Sequence, residues 1–287
     1  MGSGWHEWPL VIFTVLGQCV AGAVIVVGAA LLSGALNDTQ RRSVERSMIV
    51  LWVLMGIAFI ASVAHLGSPL RAFNSLNRIG QSGLSNEIAG GSLFFAVGGF
   101  WWLLTVINRM PAALGRVWLV ATMVLGVVFV WLMSRVYSTI DTIPTWNTVW
   151  TPVGFFLTML IGGPLLGYLL LRAGGVKGRG LNLLPVVSLV ALVVSMVAIT
   201  MQSAALPGIS SSVAQASALV PDYGMLIALR VVLLAAALAL WIVPQFRGQQ
   251  PGMATLSVAF LMVLVGEFIG RGIFYGLHMT VGMAIAG

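Results

Sequence analysis

Ionisable side chains are scarce in this sequence. Lys and Arg number 14 and Asp and Glu 7 among 287 residues, so 7% of the chain is charged, where a soluble domain carries about 25%. So few charges cannot cover a water-facing globule, which excludes a soluble enzyme. Disorder is excluded too, because it needs low hydrophobicity with high charge and 59% of this chain is hydrophobic. Cysteine is nearly absent. Cys19 alone excludes an intrachain disulfide, a zinc knuckle or an iron–sulfur cluster held by this chain by itself. Three histidines, His6, His65 and His278, leave little for metal or haem. A bis-histidine haem would need two of them inside facing spans, and only His65 and His278 come near span ends. The sequence shows no Walker motif, metalloprotease motif or catalytic triad.

What the chain does have is long apolar runs. A helix needs about 20 apolar residues to cross a bilayer, and eight segments qualify: 9–32, 48–66, 87–107, 115–136, 152–171, 183–203, 226–246 and 253–275. The expected fold is an all-α integral membrane protein, a bundle of eight transmembrane helices. The loops are too short for a separate soluble domain, so residues 1–287 read as one polytopic membrane domain. The first run lacks the basic flank of a cleavable signal and exceeds its 7–15-residue core. Gly162, Gly163 and Pro164 interrupt the fifth run and predict a kink. Gly90, Gly91, Gly98 and Gly99 put small residues close to one stripe of the third, as close helix packing requires. Trp5, Trp8, Trp146 and Trp150 fall where an aromatic belt would lie.

Orientation follows from the basic residues. The odd-numbered loops hold Arg41, Arg42, Arg46, Arg109, Arg116, Arg172, Lys177, Arg179 and Arg247, and the even ones only Arg71, Arg78 and Arg135. Nine against three places the odd loops in the cytoplasm and both termini in the periplasm of a bacterial inner membrane. Polar chemistry gathers on the even side. The second loop, HLGSPLRAFNSLNRIGQSGLSNE, runs from His65 to Glu87, the fourth carries Asp141 and the sixth Asp222.

His65 closes the second span and Glu87 opens the third, so both fall at the outer boundary, at the two ends of one loop. Histidine exchanges a proton near neutral pH, and a carboxylate partly out of water can do so as well. Such a pair could accept the two protons that a quinol sheds on oxidation. The bland reading is that His65 caps a helix C-terminus and Glu87 complements a helix N-terminus. Arg71 and Arg78 could hydrogen-bond a quinone oxygen or an acidic partner surface, or could simply snorkel at the interface; Asn74 is a loop turn-former or part of the same site. Glu267 and Arg271 are four apart in the last span and are expected to form a structural ion pair. Arg230 could pair with Asp222 or Glu267.

The stretches GWHEWPLVIFTVLGQ, IASVAHLGSPLRAFNSLNRIGQSGLSNEIA, DTIPTWNTVWTP, SSVAQASALVPDYG and GEFIGRGIFYGLHMTVGMA resemble the membrane anchor subunit family of bacterial anaerobic dimethyl sulfoxide reductases, including its close paralogue from a related selenate/sulfoxide reductase. The resemblance covers essentially the whole chain. It implies a heterotrimer in anaerobic respiration, with a catalytic subunit carrying molybdenum bis-guanine-dinucleotide on the outer side. An electron-transfer subunit with [4Fe–4S] clusters would join that subunit to the anchor. The anchor itself would bind and oxidise menaquinol without haem, cluster or metal of its own, and would not catalyse the terminal reduction. His65 and Glu87 match the family's quinol region, and Arg71, Asn74 and Arg78 stand in the matching loop. Two other readings remain at this stage. A small-metabolite transporter would use the buried Glu267, Arg271 and Arg230, although such proteins show paired broken helices and an internal repeat. A purely structural anchor would need neither His65 nor Glu87.

Overall fold

The computed structural model describes residues 3–64, 74, 76–211 and 214–281. Nine α-helices carry the described residues: α1 (Trp8–Leu32), α2 (Asp38–Ser47), α3 (Ile49–Ala64), α4 (Gly83–Val106), α5 (Ala112–Ser138), α6 (Trp150–Ala173), α7 (Leu183–Ala205), α8 (Tyr223–Phe246) and α9 (Met253–Gly276). Among the described residues there are eight helical stretches long and apolar enough to cross a membrane, with α2 and α3 forming one of them. This is the all-helical, multi-pass architecture expected of the sequence.

The second stretch differs from the expectation at its start. The apolar run begins at Met48, but helix is already present from Asp38. A capping box initiates it: Asn37 Oδ1 accepts from Gln40 N at 2.8 Å, and Gln40 Oε1 accepts from Asn37 N at 3.2 Å, so two N-terminal amides are satisfied reciprocally. Val44 and Glu45 of this polar helix are buried, while Arg42 and Arg46 are exposed.

α1 is the axis of the bundle, flanked by α3, α5, α6 and α9. A helix surrounded by others can be apolar on every side, and α1 is: its residues from Val11 to Val24 are buried apart from Ile12. α1 and α6 meet backbone to backbone. A methyl group on Gly163 would stand 2.5 Å from Gly22 Cα, and one on Gly22 would stand 2.5 Å from Met159 O. Without a hydrophobic drive between helices in lipid, such close packing is a main source of association. α6 runs unbroken through Gly162, Gly163 and Pro164. Two of the residues expected to mark a kink, Gly162 and Gly163, lie against Cys19 and Gly22 of α1. The small residues of α4 pack as expected in three cases: Gly90 against Leu132, Gly91 against Phe129, and Gly98 against Trp52. Gly99 faces open space.

α7 and α8 are peripheral. Leu183, Val186, Val190, Val193, Val197 and Val232 are exposed, as side chains that face acyl chains should be. The two ends of the bundle are unlike. One, the terminal face, gathers residues 4–8, 139–149, 206–211, 214–222 and 277–281. Thr145 Oγ1 donates to Leu277 O at 2.6 Å, and Val281 N to Thr142 O at 2.9 Å. The other, the opposite face, carries α2 and the short α4–α5, α6–α7 and α8–α9 connections.

Candidate functional site

Glu87 lies one turn inside α4, not at its mouth, because the helix starts at Gly83. Gly83 packs on the backbone of Val136 and Gly90 on Leu132, so α4 lies flat on α5 and turns Glu87 inward. The side chain is buried, 3% exposed, and its Oε1 is sealed from solvent without a hydrogen-bond partner. An unsatisfied buried carboxylate oxygen costs several kcal/mol in a low-dielectric interior and so calls for a functional explanation.

The hydroxyls of Tyr137 (α5) and Tyr275 (α9) are 2.8 Å apart, and Glu87 is close enough to interact electrostatically with both. The pair sits in an aromatic nest. Tyr137 meets Trp146, Phe155 and Phe274 at ring separations of 5.3, 5.7 and 5.3 Å. Trp146 is therefore not part of an interfacial belt. It is buried, stacked on Phe274, and donates Nε1 to Phe274 O at 2.7 Å. Trp8, by contrast, is 53% exposed, as a belt residue should be.

Deeper in the bundle the ionisable residues are paired differently from the sequence expectation. Glu267 does not pair with Arg271. Its Oε2 is 3.2 Å from Arg230 Nη2 and accepts from Thr158 Oγ1 at 2.7 Å. Arg271 turns to the centre of the bundle, donates to Gln18 Oε1 at 2.9 Å and lays its guanidinium 3.7 Å over the Phe155 ring. Gln18 Nε2 in turn donates to Met133 Sδ at 3.1 Å. The physical reason is Gly270, whose missing side chain lets the Arg230 guanidinium lie against α9, where a methyl group would stand 2.6 Å from Nε. With the carboxylate taken from α8, Arg271 finds an amide and an aromatic face, both adequate for a guanidinium out of water. Arg230, Glu267, Arg271, Thr158 and Gln202 border a cavity of about 70 Å³.

The remaining site residues divide as follows. His65 and Arg71 lie outside the described residues. Asn74 and Arg78 are exposed, and the structure does not bring them to Glu87. Arg78 makes no ion pair among the described residues. Asp222 is exposed in a left-handed conformation at the start of α8, and Arg230 pairs with Glu267 rather than with it. Sequence reasoning passed over Gln18, Tyr137, Thr158 and Tyr275. A single amide inside an otherwise apolar 25-residue span was the available signal for Gln18, because polar side chains at that depth seek partners. Among the described residues no three His, Cys, Asp or Glu side chains come together as metal ligands.

Comparison with known proteins places these features in a family. The profile of the family described as "DMSO reductase anchor subunit (DmsC)" matches residues 1–277. One relative, an anaerobic dimethyl sulfoxide reductase subunit of Escherichia coli, is 64% identical over 286 residues. A second protein of the same organism, the anaerobic dimethyl sulfoxide reductase subunit YnfH, is 58% identical over 289 residues. An anaerobic dimethyl sulfoxide reductase subunit of Haemophilus influenzae is 44% identical over 289 residues. In each case the match covers the full length of both proteins.

Proposed function

The chain belongs to the DMSO reductase anchor subunit family, and on that premise we propose that it oxidises menaquinol beneath its terminal face and hands the electrons to an iron–sulfur subunit docked there. Its role as membrane anchor comes with the family and with the eight apolar helical stretches. The observation that carries the quinol reading is Glu87. A buried carboxylate with an unpartnered oxygen, within electrostatic reach of two phenols, is an acceptor waiting for a hydroxyl donor.

In this mechanism Glu87 Oε1 accepts a hydrogen bond from one quinol hydroxyl and then takes its proton. His65, which follows α3 in the sequence, accepts from the second hydroxyl and takes the other proton. The Tyr137–Tyr275 pair fixes the wall behind Glu87. Oxidation yields quinone, two protons and two electrons, and the electrons pass singly to a cluster of the docked partner. The terminal face is periplasmic in this reading, so protons and electrons leave on the same side and no net charge crosses the membrane. The partners are the iron–sulfur subunit with its [4Fe–4S] clusters and a molybdenum-containing catalytic subunit, which selects the terminal acceptor.

The test is quinol-driven cluster reduction in membranes carrying His65→Ala or Glu87→Gln. Loss of reduction with the complex still assembled is the expected result. Wild-type rates in both variants would leave a purely structural anchor.

A further inference from the structure

At the opposite face, away from Glu87, a cavity of about 490 Å³ opens between the C-terminal ends of α1 and α4, the side of α2 and the first turns of α5. Its walls mix two chemistries. Arg41, Glu45 and Arg116 border it, and so do Leu31 and Leu119. Glu45 is committed: its Oε1 is 2.9 Å from Arg41 Nε. Arg116 makes no ion pair or side-chain hydrogen bond among the described residues, so the cavity keeps one positive charge in excess. Its place in the bilayer is set by its neighbours. Leu114 and Val117, on either side of Arg116, are 50% and 69% exposed, and Arg116 lies near the start of α5, which begins at Ala112. The turn from α4 to α5 is held tight by Asn108, at φ 56° in the left-handed region, and Asn108 lines the same cavity. Cation at the mouth and exposed apolar side chains alongside match one class of ligand.

We propose that this cavity is a binding site for an anionic phospholipid, with Arg116 and Arg41 on the headgroup phosphate and the acyl tails along the exposed Leu114 and Val117 of α5. A basic pocket between transmembrane helices at the membrane surface suits such a headgroup. Arg42 and Arg46, exposed on the same short helix but outside the cavity, supply the internal control: a merely basic membrane face would use them equally.

The test uses the detergent-purified complex. Phosphatidylglycerol, phosphatidylcholine or inorganic phosphate is titrated, with retained lipid read by native mass spectrometry and heat inactivation followed in parallel. Phosphatidylglycerol should be retained and protective. Its half-saturating level should rise about fivefold in Arg116→Gln, as expected for losing one basic contact. It should stay near wild type in Arg116→Lys and in Arg42→Gln/Arg46→Gln. Equal retention by wild type and Arg116→Gln would overturn the site. So would phosphatidylcholine performing as well, or inorganic phosphate protecting as strongly, the last showing an anion site without lipid.

Discussion

Tyr137 and Tyr275 share a hydrogen bond of 2.8 Å although 138 positions separate them in the sequence. The contact joins α5 to α9 directly below the terminal face. Both residues are buried, so removal of either hydroxyl takes a hydrogen-bond partner from the other. Tyr137→Phe or Tyr275→Phe should each cost about 1–3 kcal/mol, and the double variant should cost less than the two singles together. Heat stability of the purified complex measures this, and additive losses would show that the two hydroxyls do not support each other.

Glu87→Gln should lower quinol-driven cluster reduction by roughly 10²–10⁴, the usual contribution of a positioned acid or base. The amide preserves shape and removes the proton acceptor. Tyr275→Phe leaves the carboxylate in place and should keep the larger part of the rate. Stopped-flow reduction of the partner's clusters by a menaquinol analogue separates the two. Equal losses would mean that the region responds only to packing.

The Arg230–Glu267 pair lies inside the bundle at 3.2 Å. Arg230→Met abandons a carboxylate in the bundle and should destabilise by about 3–5 kcal/mol, whereas Arg230→Met with Glu267→Met should recover much of the loss. The midpoint of heat-induced loss of assembled complex reports both. A double variant as weak as the single one would show that Thr158 and Ser195, which also contact this pair, depend on its charge.

Gly163→Ala should cost about 1–3 kcal/mol, because the added methyl would meet the backbone of α1 and neither helix can yield locally. Gly99→Ala is the matched control. Nothing lies within 4 Å of its added methyl, and its effect should stay within about 0.5 kcal/mol. Accumulation in membranes and heat stability of the pair give the comparison.

If Arg71 and Arg78 dock an acidic surface of the iron–sulfur partner, reversing both to Glu should release the soluble subunits from washed membranes at moderate salt, since exposed charge contacts are screened within about 10 Å. The quinol-analogue affinity of the membranes should stay unchanged. Undiminished attachment would rule out docking through these residues.

Much of the fold was legible because the signal for a membrane helix is local. The apolar run from Pro9 to Leu32 and the helix Trp8–Leu32 differ by one residue at one end, and Met253–Gly276 differs from its run by one at the other. Polar helix was harder to read. α2 has no apolar run, and its start is fixed by the reciprocal bonds of Asn37 and Gln40. Glu87 was identifiable as a candidate by its chemistry, but its depth was not. The four residues from Gly83 that carry it into the bundle look like loop in composition.

By itself the sequence determined that this protein lives in a bilayer and how many stretches of it are long and apolar enough to cross, since both follow from runs of neighbouring residues and their transfer into lipid. Only the tertiary structure decided the partners. It gave Glu267 to Arg230 rather than to Arg271, brought Tyr137 to Tyr275, and set Gly162 and Gly163 against α1. Those choices depend on which helices adjoin and how they are rotated, and helices that are apolar nearly all round carry almost no local record of either.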